Sequence, residues 1–200
     1  MEKKKSGNSR VNKIRLFIAV NLNDKLKEQI GRIIYKLKNK DSAIKWVENS
    51  NLHITLKFLG EIPEEKIETI KNSLENLIAK YRKFSFKLSR LDVFPNVKSP
   101  RVIWLGISEG KDSLIEMNNR IEEEMEKVGF AREDKNFKGH ITLGRVKKFK
   151  KIYNIEKLLE IETGDLEVQE VKHIELMKST LHPSGPVYES LGNFFLNNAS

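Results

Sequence analysis

The chain has 200 residues and no cysteine, a length that suits one compact unit and a composition that excludes a disulfide framework or a thiolate metal site. No apolar run approaches the roughly 18 residues that span a bilayer, and the first ten residues lack the apolar core of a secretory signal, so a soluble cytoplasmic protein with no membrane partner is expected. Lys and Arg number 37 against 28 Asp and Glu, a formal charge of +9; this excess attracts polyanions, nucleic-acid phosphate foremost, although lysine used for solubility gives the same balance.

Residues 1–12 are polar and basic, with Lys3, Lys4 and Lys5 followed by Ser, Gly and Asn, and are expected to form a disordered tail ahead of one domain spanning 13–200. Ile14 to Val20 reads as a strand, and Asn23 as the cap of a helix whose Leu26, Ile30, Ile33, Ile34 and Leu37 recur at helical spacing. Ile44 to Val47 and His53 to Leu59 are strand candidates, the latter ended by Gly60 and the helix-starting Pro63. Ile67, Ile70, Leu74, Leu77, Ile78 and Tyr81 mark a second amphipathic helix. Phe84 to Val93 alternates as a half-buried strand and pairs in a hairpin with Arg101 to Ile107 across Phe94-Pro95-Asn96. A third helix from Asp112 carries Leu114, Met117, Ile121, Met125 and Val128, with Gly129 as its stop. His140 to Arg145 is again a strand. A short helix over 155–160 and two strands, 164–179 and 187–195, separated by a turn at His182-Pro183-Ser184-Gly185-Pro186, complete an α+β, mainly antiparallel chain.

The tetrapeptide His53-Ile54-Thr55-Leu56 returns unchanged 87 residues later as His140-Ile141-Thr142-Leu143. In a strand, residues i and i+2 share a face, so each copy presents one imidazole beside one hydroxyl and turns its Ile and Leu to the core, with Phe58 on the same core face. A polar, solvated strand face explains either copy alone; two such faces have no reason to agree on His and then Thr. Two imidazoles on opposing strands suit in-line displacement at phosphorus, one as base and one as acid, while the threonine hydroxyls donate to non-bridging oxygens. A zinc site needs further ligands that the motifs do not supply, and no metal or other cofactor is expected. A nucleotide- or RNA-binding module without catalysis is the alternative of a different class.

These motifs resemble the hallmark of the 2H phosphoesterases and, within them, of the RNA 2′,3′-cyclic phosphodiesterases, also called RNA 2′-5′ ligases. The resemblance extends through Arg15 to Ala19, Trp46-Val47, Leu52 to Gly60, Phe94-Pro95, Arg101 to Trp104 and the closing Ser179-x-Leu181, Gly185-Pro186-x-Tyr188. It implies a bilobal, duplicated fold in which two mainly antiparallel sheets face a central cleft, with helices packed outside. It also implies hydrolysis, without a metal, of an RNA terminal 2′,3′-cyclic phosphate to a 2′-phosphate by a monomeric enzyme. His53 would then be the proton donor and His140 the proton acceptor, with Thr55 and Thr142 on the phosphate oxygens. Another phosphodiester, such as a cyclic nucleotide or a 2′-5′ linkage, would engage the same motifs.

Arg145 matches a family arginine, yet simple alternation places it opposite His140 unless a bulge at Gly144 re-aims it. Gly139 stands where many relatives have proline. Phe137 and Tyr188 are the candidates for base or ribose contact, whereas Trp46, Phe58 and Phe94 are assigned to the core. The basic run Lys147 to Lys151 reads as a solvated turn, and His173 and His182 as structural or exposed.

Overall fold

A computed structural model describes residues 12–38, 43–148, 150–152, 155–183 and 185–198. Most of the expected tail, 1–11, and Ser184 of the expected turn lie outside the described residues; Asn12 lies inside them, its carbonyl accepting from the Glu64 amide at 3.1 Å.

Strands and helices follow in the order β1 (Lys13–Asn21), α1 (Asp24–Lys38), β2 (Ile44–Trp46), β3 (His53–Pro63), α2 (Ile67–Ile78), β4 (Phe84–Phe94), β5 (Val102–Glu109), α3 (Lys111–Lys127), β6 (Ile141–Val146), α4 (Ile155–Leu159), β7 (Gln169–Val171), β8 (His173–His182) and β9 (Gly185–Phe195). Their pairing runs β7-β4-β5-β6-β3-β1-β8-β9, with β2 on the free side of β6, and every strand pair is antiparallel. A five-stranded half, β7-β4-β5-β6 with β2, and a four-stranded half, β3-β1-β8-β9, are thus joined at the two motif strands, through the single ladder pair Ile54 and Ile141. The α+β class, the antiparallel sheets and the β4–β5 hairpin agree with the sequence reading.

Local chemistry accounts for the helices. The Asn23 side-chain oxygen accepts from the Leu26 amide at 2.7 Å and caps α1. The apolar stripe of α1 is buried at Leu26, Ile30, Ile33, Ile34 and Leu37, and α3 buries Leu114, Met117, Ile121 and Met125. Between them and the sheet lies one continuous core that includes Leu16, Ile18, Ile54, Leu105 and Ile141.

Three expectations change. The strand expected over 164–179 is two strands, because β7 pairs with β4 in one half and β8 with β1 in the other, so the chain changes sheets at Lys172. Strand β3 does not stop at Gly60, which takes φ 76° inside a register shift and lets pairing with β1 continue to Pro63.

The third change concerns the alternation beyond each motif. Ala19 pairs with Thr55 and Ile18 with Lys57, so Leu56 is an extra residue on β3. Trp104 pairs with Thr142 and Ile103 with Gly144, so Leu143 is the extra residue on β6. Both copies therefore carry a bulge at their fourth residue, and the inward phase passes to the fifth: Lys57 is 2% exposed, while Phe58, expected in the core, is 55% exposed.

A buried ammonium needs a partner. Lys57 Nζ donates to Glu122 Oε2 of α3 at 2.5 Å and to the Ala131 carbonyl at 3.0 Å. The same carboxylate oxygen accepts from the Glu133 amide at 3.2 Å, and Asn118 Nδ2 donates to the Leu56 carbonyl at 2.8 Å. Helix α3 of one half thereby fixes the bulge of the other. In the second copy Gly144 takes the place of Lys57, and a Cβ there would sit 2.6 Å from Ile44 Cγ2 and 2.9 Å from Trp46 Cε3. Glu122→Ala is expected to cost about 3–5 kcal/mol by stranding the Lys57 cation, and adding Lys57→Met should recover most of that loss. Urea unfolding of the two variants measures both outcomes.

Candidate active site

Each histidine is held by its own strand entrance. His53 Nδ1 donates to the Asn51 carbonyl at 2.7 Å, and His140 Nδ1 to the Lys138 carbonyl at 2.7 Å, in both cases two residues upstream. A donating Nδ1–H leaves Nε2 of the neutral ring as the acceptor, so both copies present the same nitrogen for chemistry. Thr55 shares the His53 face, and its hydroxyl donates to His53 Nε2 at 3.0 Å. Thr142 shares the His140 face in the matching register.

Aromatic rings enclose both imidazoles. Phe17 and Tyr188 lie 5.0 and 5.3 Å from His53, centroid to centroid, Tyr188 edge-on. Phe94 and Trp104 lie 5.0 and 5.8 Å from His140, both edge-on, and stack on each other at 4.6 Å. Lys138 Nζ sits 4.2 Å above the Trp104 ring and 3.8 Å from the Asp92 carboxylate.

Burial among these rings is the largest cause that lowers the His53 pKa to about 4, partly offset by the Asn51 hydrogen bond and reinforced by His140, Lys27 and Arg145. Burial likewise lowers His140, again with the Lys138 carbonyl opposing and the Arg145 and Lys138 cations reinforcing. Both rings are therefore neutral in the free protein at neutral pH.

Arg145 acts electrostatically on His53, His140 and Tyr188 alike. The Leu143 bulge explains how: it shifts the strand phase by one residue, so Arg145 regains the face of His140 and Thr142 that simple alternation denies it. Among the sequence candidates, His53, His140, Thr55, Thr142, Arg145 and Tyr188 are brought together. Phe137 is not part of this cluster; it packs against the core, 3.5 Å from the place a Cβ on Gly139 would occupy.

The sequence alone does not single out Phe17, Phe94, Trp104 and Lys138 for this role. A signal exists for two of them, since the 87-residue offset that relates the motifs also carries Phe17 onto Trp104. The basic run is described only in part, and Lys147 and Lys148 are exposed. His173 is half-buried beside Glu175, with 3.3 Å between Nε2 and Oε1, and His182 is exposed. Among the described residues no group of three or more His, Asp or Glu side chains is arranged to hold a metal ion, and no helix is long and apolar enough to cross a membrane.

The profile of the family described as LigT like Phosphoesterase matches the chain twice, over residues 20–104 and 105–188, one match for each motif. The chain belongs to this family. An Archaeoglobus fulgidus protein named RNA 2′,3′-cyclic phosphodiesterase is 40% identical over 183 residues, 90% of this chain and 99% of that protein. A crystal structure of a Thermus thermophilus protein superposes with TM-score 0.79 at 26% identity, over 94% of this chain and 100% of that one. Escherichia coli LigT complexed with 3′-AMP superposes with TM-score 0.72 at 25% identity, over 92% and 99% of the two chains.

The sign of the pH effect on stability follows from the lowered pKa of His53. Its folded value, about 4, lies below the ordinary histidine value, so the unfolded chain binds the proton more readily. Stability is complete above about pH 6.5 and falls with acidification toward pH 4, by roughly 1.4 kcal/mol for each tenfold difference in proton affinity between the unfolded and folded chains. The unfolding free energy of His53→Gln should fall less steeply than that of the wild type across this window. NMR titration offers a second measurement: Arg145→Ala should raise the pKa of both His53 and His140.

Proposed function

We propose that the protein hydrolyses the 2′,3′-cyclic phosphate at an RNA end to a 2′-phosphomonoester, with His53 and His140 as general acid and base. The observation that carries this reading is the pair of imidazoles, each with Nδ1 tied to a carbonyl two residues upstream and Nε2 left for chemistry. The names carried by relatives at this identity and coverage support the substrate class. The basic excess favours an anionic polymer.

In the proposed reaction His140 Nε2 takes a proton from water as its oxygen bonds to phosphorus. The bond from phosphorus to the ribose 3′ oxygen breaks, and His53 delivers its Nε2 proton to that oxygen, leaving the phosphate on the 2′ oxygen. Thr55, Thr142 and Arg145 would carry the charge developing on the non-bridging oxygens. His53, neutral when free, would gain its proton only as the substrate arrives, because the phosphate anion opposes the desolvation that lowers its pKa. Thr55 would at that point exchange its bond to His53 for one to phosphate. No step in this scheme calls on a metal ion.

His53→Ala and His140→Ala should each lose about 10²–10⁴-fold in kcat on an RNA ending in a 2′,3′-cyclic phosphate, with chelator present throughout. Undiminished turnover in both variants would overturn the reading. Analysis of the product end tests the proton roles: a 3′-phosphate in place of a 2′-phosphate would exchange donor and acceptor. Binding of the same RNA without turnover by the wild type would favour a recognition module over an enzyme.

A further inference from the structure

We propose that a second nucleotide subsite lies where the end of β1 meets the start of β8, with Phe195 stacking the base of the nucleotide that precedes the cyclic-phosphate end; the inference rests on the phosphodiesterase reading above. Strand register puts this subsite on the same sheet face as the first motif. Asn21 is the ladder partner of His53, Glu175 that of Ala19, and Phe195 that of His173. The face is continuous between them: Phe17, Ala19 and Met177 pack together, Phe17 lies against His53, and Asn21 Nδ2 is 3.9 Å from Met177 Sδ. Two strand spacings, about 10 Å, separate β8 from β3. The next nucleotide of a bound chain reaches across that span.

The cluster is built around one carboxylate. Glu175 is 7% exposed, and its Oε1 accepts from Asn21 Nδ2 at 2.8 Å and from His173 Nε2 at 3.3 Å, with Ser190 as a third donor. The Ser190 hydroxyl also lies 3.4 Å from Asn193 Oδ1. A carboxylate accepts about four hydrogen bonds, so one position is left for a ligand hydroxyl. Its charge disfavours a phosphate and suits a ribose, whose hydroxyls are commonly held by acidic side chains in nucleotide sites.

Phe195 stands beside this cluster as a 64% exposed ring, 5.3 Å from the His173 ring, while its neighbour Phe194 is buried in the core. An open ring next to groups that bond a sugar matches a nucleoside, whose base supplies the π-face. The other half has a different floor. The 87-residue offset carries Ala19 and Asn21 onto Gly106 and Ser108, and the Ser108 hydroxyl bonds to the Lys87 and Leu88 carbonyls of the neighbouring strand. The cluster thus belongs to one half, which gives a bound RNA a direction across the cleft.

The test compares a diadenosine ribonucleotide ending in a 2′,3′-cyclic phosphate with adenosine 2′,3′-cyclic phosphate, which has no preceding nucleotide. The wild type should favour the dinucleotide in kcat/KM. In Phe195→Ala that preference should fall about tenfold, chiefly through KM, and Phe195→Tyr should keep it near the wild-type value. A dinucleotide whose first position is abasic separates stacking from the added phosphate, and an equal fall with that substrate would overturn the proposal. So would an unchanged preference in Phe195→Ala, or a wild type that shows none. Calorimetric binding of the corresponding 2′-phosphate products separates this inference from the hydrolysis reading. If the wild type turns over neither substrate, hydrolysis fails, yet about tenfold weaker binding of the dinucleotide product by Phe195→Ala would still support the subsite. Equal affinity in the two proteins, or no binding by the wild type, would overturn it.

Discussion

Each motif strand gains one residue at its fourth position, and the arrangement of the site depends on that gain. In an unbroken strand Lys57 would share the face of His53 and Phe58 would face the core, and Arg145 would point away from His140. With Leu56 and Leu143 as extra residues, histidine, threonine and the sixth residue share one face in both copies. A bulge leaves a backbone group without its ladder partner, and in the first copy Asn118 supplies the missing donor to the Leu56 carbonyl. The local defect in the sheet is thus tied to the nearest helix of the opposite half, which turns an irregularity into a fixed geometry.

The histidines combine two features that pull against each other. Packing against Phe17, Tyr188, Phe94 and Trp104 orients the rings, and the burial that comes with it disfavours the protonated form. The carbonyls of Asn51 and Lys138 offset part of that effect by accepting from Nδ1. A site so balanced suits a base as it stands. In the proposed reaction its acid would have to be charged in the presence of an anion, which would link proton uptake to substrate binding.

Much of this was legible in the sequence because it rests on short-range rules. Helical stripes located α1, α2 and α3, Asn23 announced its cap, and the repeated tetrapeptide picked out both histidines and threonines. Strand partners and phase were harder. The division at Lys172 depends on which half each segment pairs with, a long-range choice without local signature. Strict alternation buried Phe58 and left Lys57 outside, because a bulge needs no particular residue and Leu at the fourth position looks like any inward leucine. Phe137 was a candidate for base or ribose contact, whereas the rings that touch His140 come from β4 and β5.

The offset of 87 residues also carries Ile44–Trp46 onto residues 131–133. Strand β2, from the first half, lies along β6 of the second, with Trp46 opposite Gly144. Residues 131 and 133, from the second half, reach back the other way: Ala131 accepts from Lys57 of β3, and Glu133 donates to the carboxylate that Lys57 holds. The two halves have traded the same segment, by a backbone ladder on one side and a side-chain clamp on the other. Reciprocal exchange of this kind is the geometry of a twofold, segment-swapped dimer. In this chain the two sides of the exchange differ in chemistry, with Lys57 on one side of the seam and Gly144 on the other.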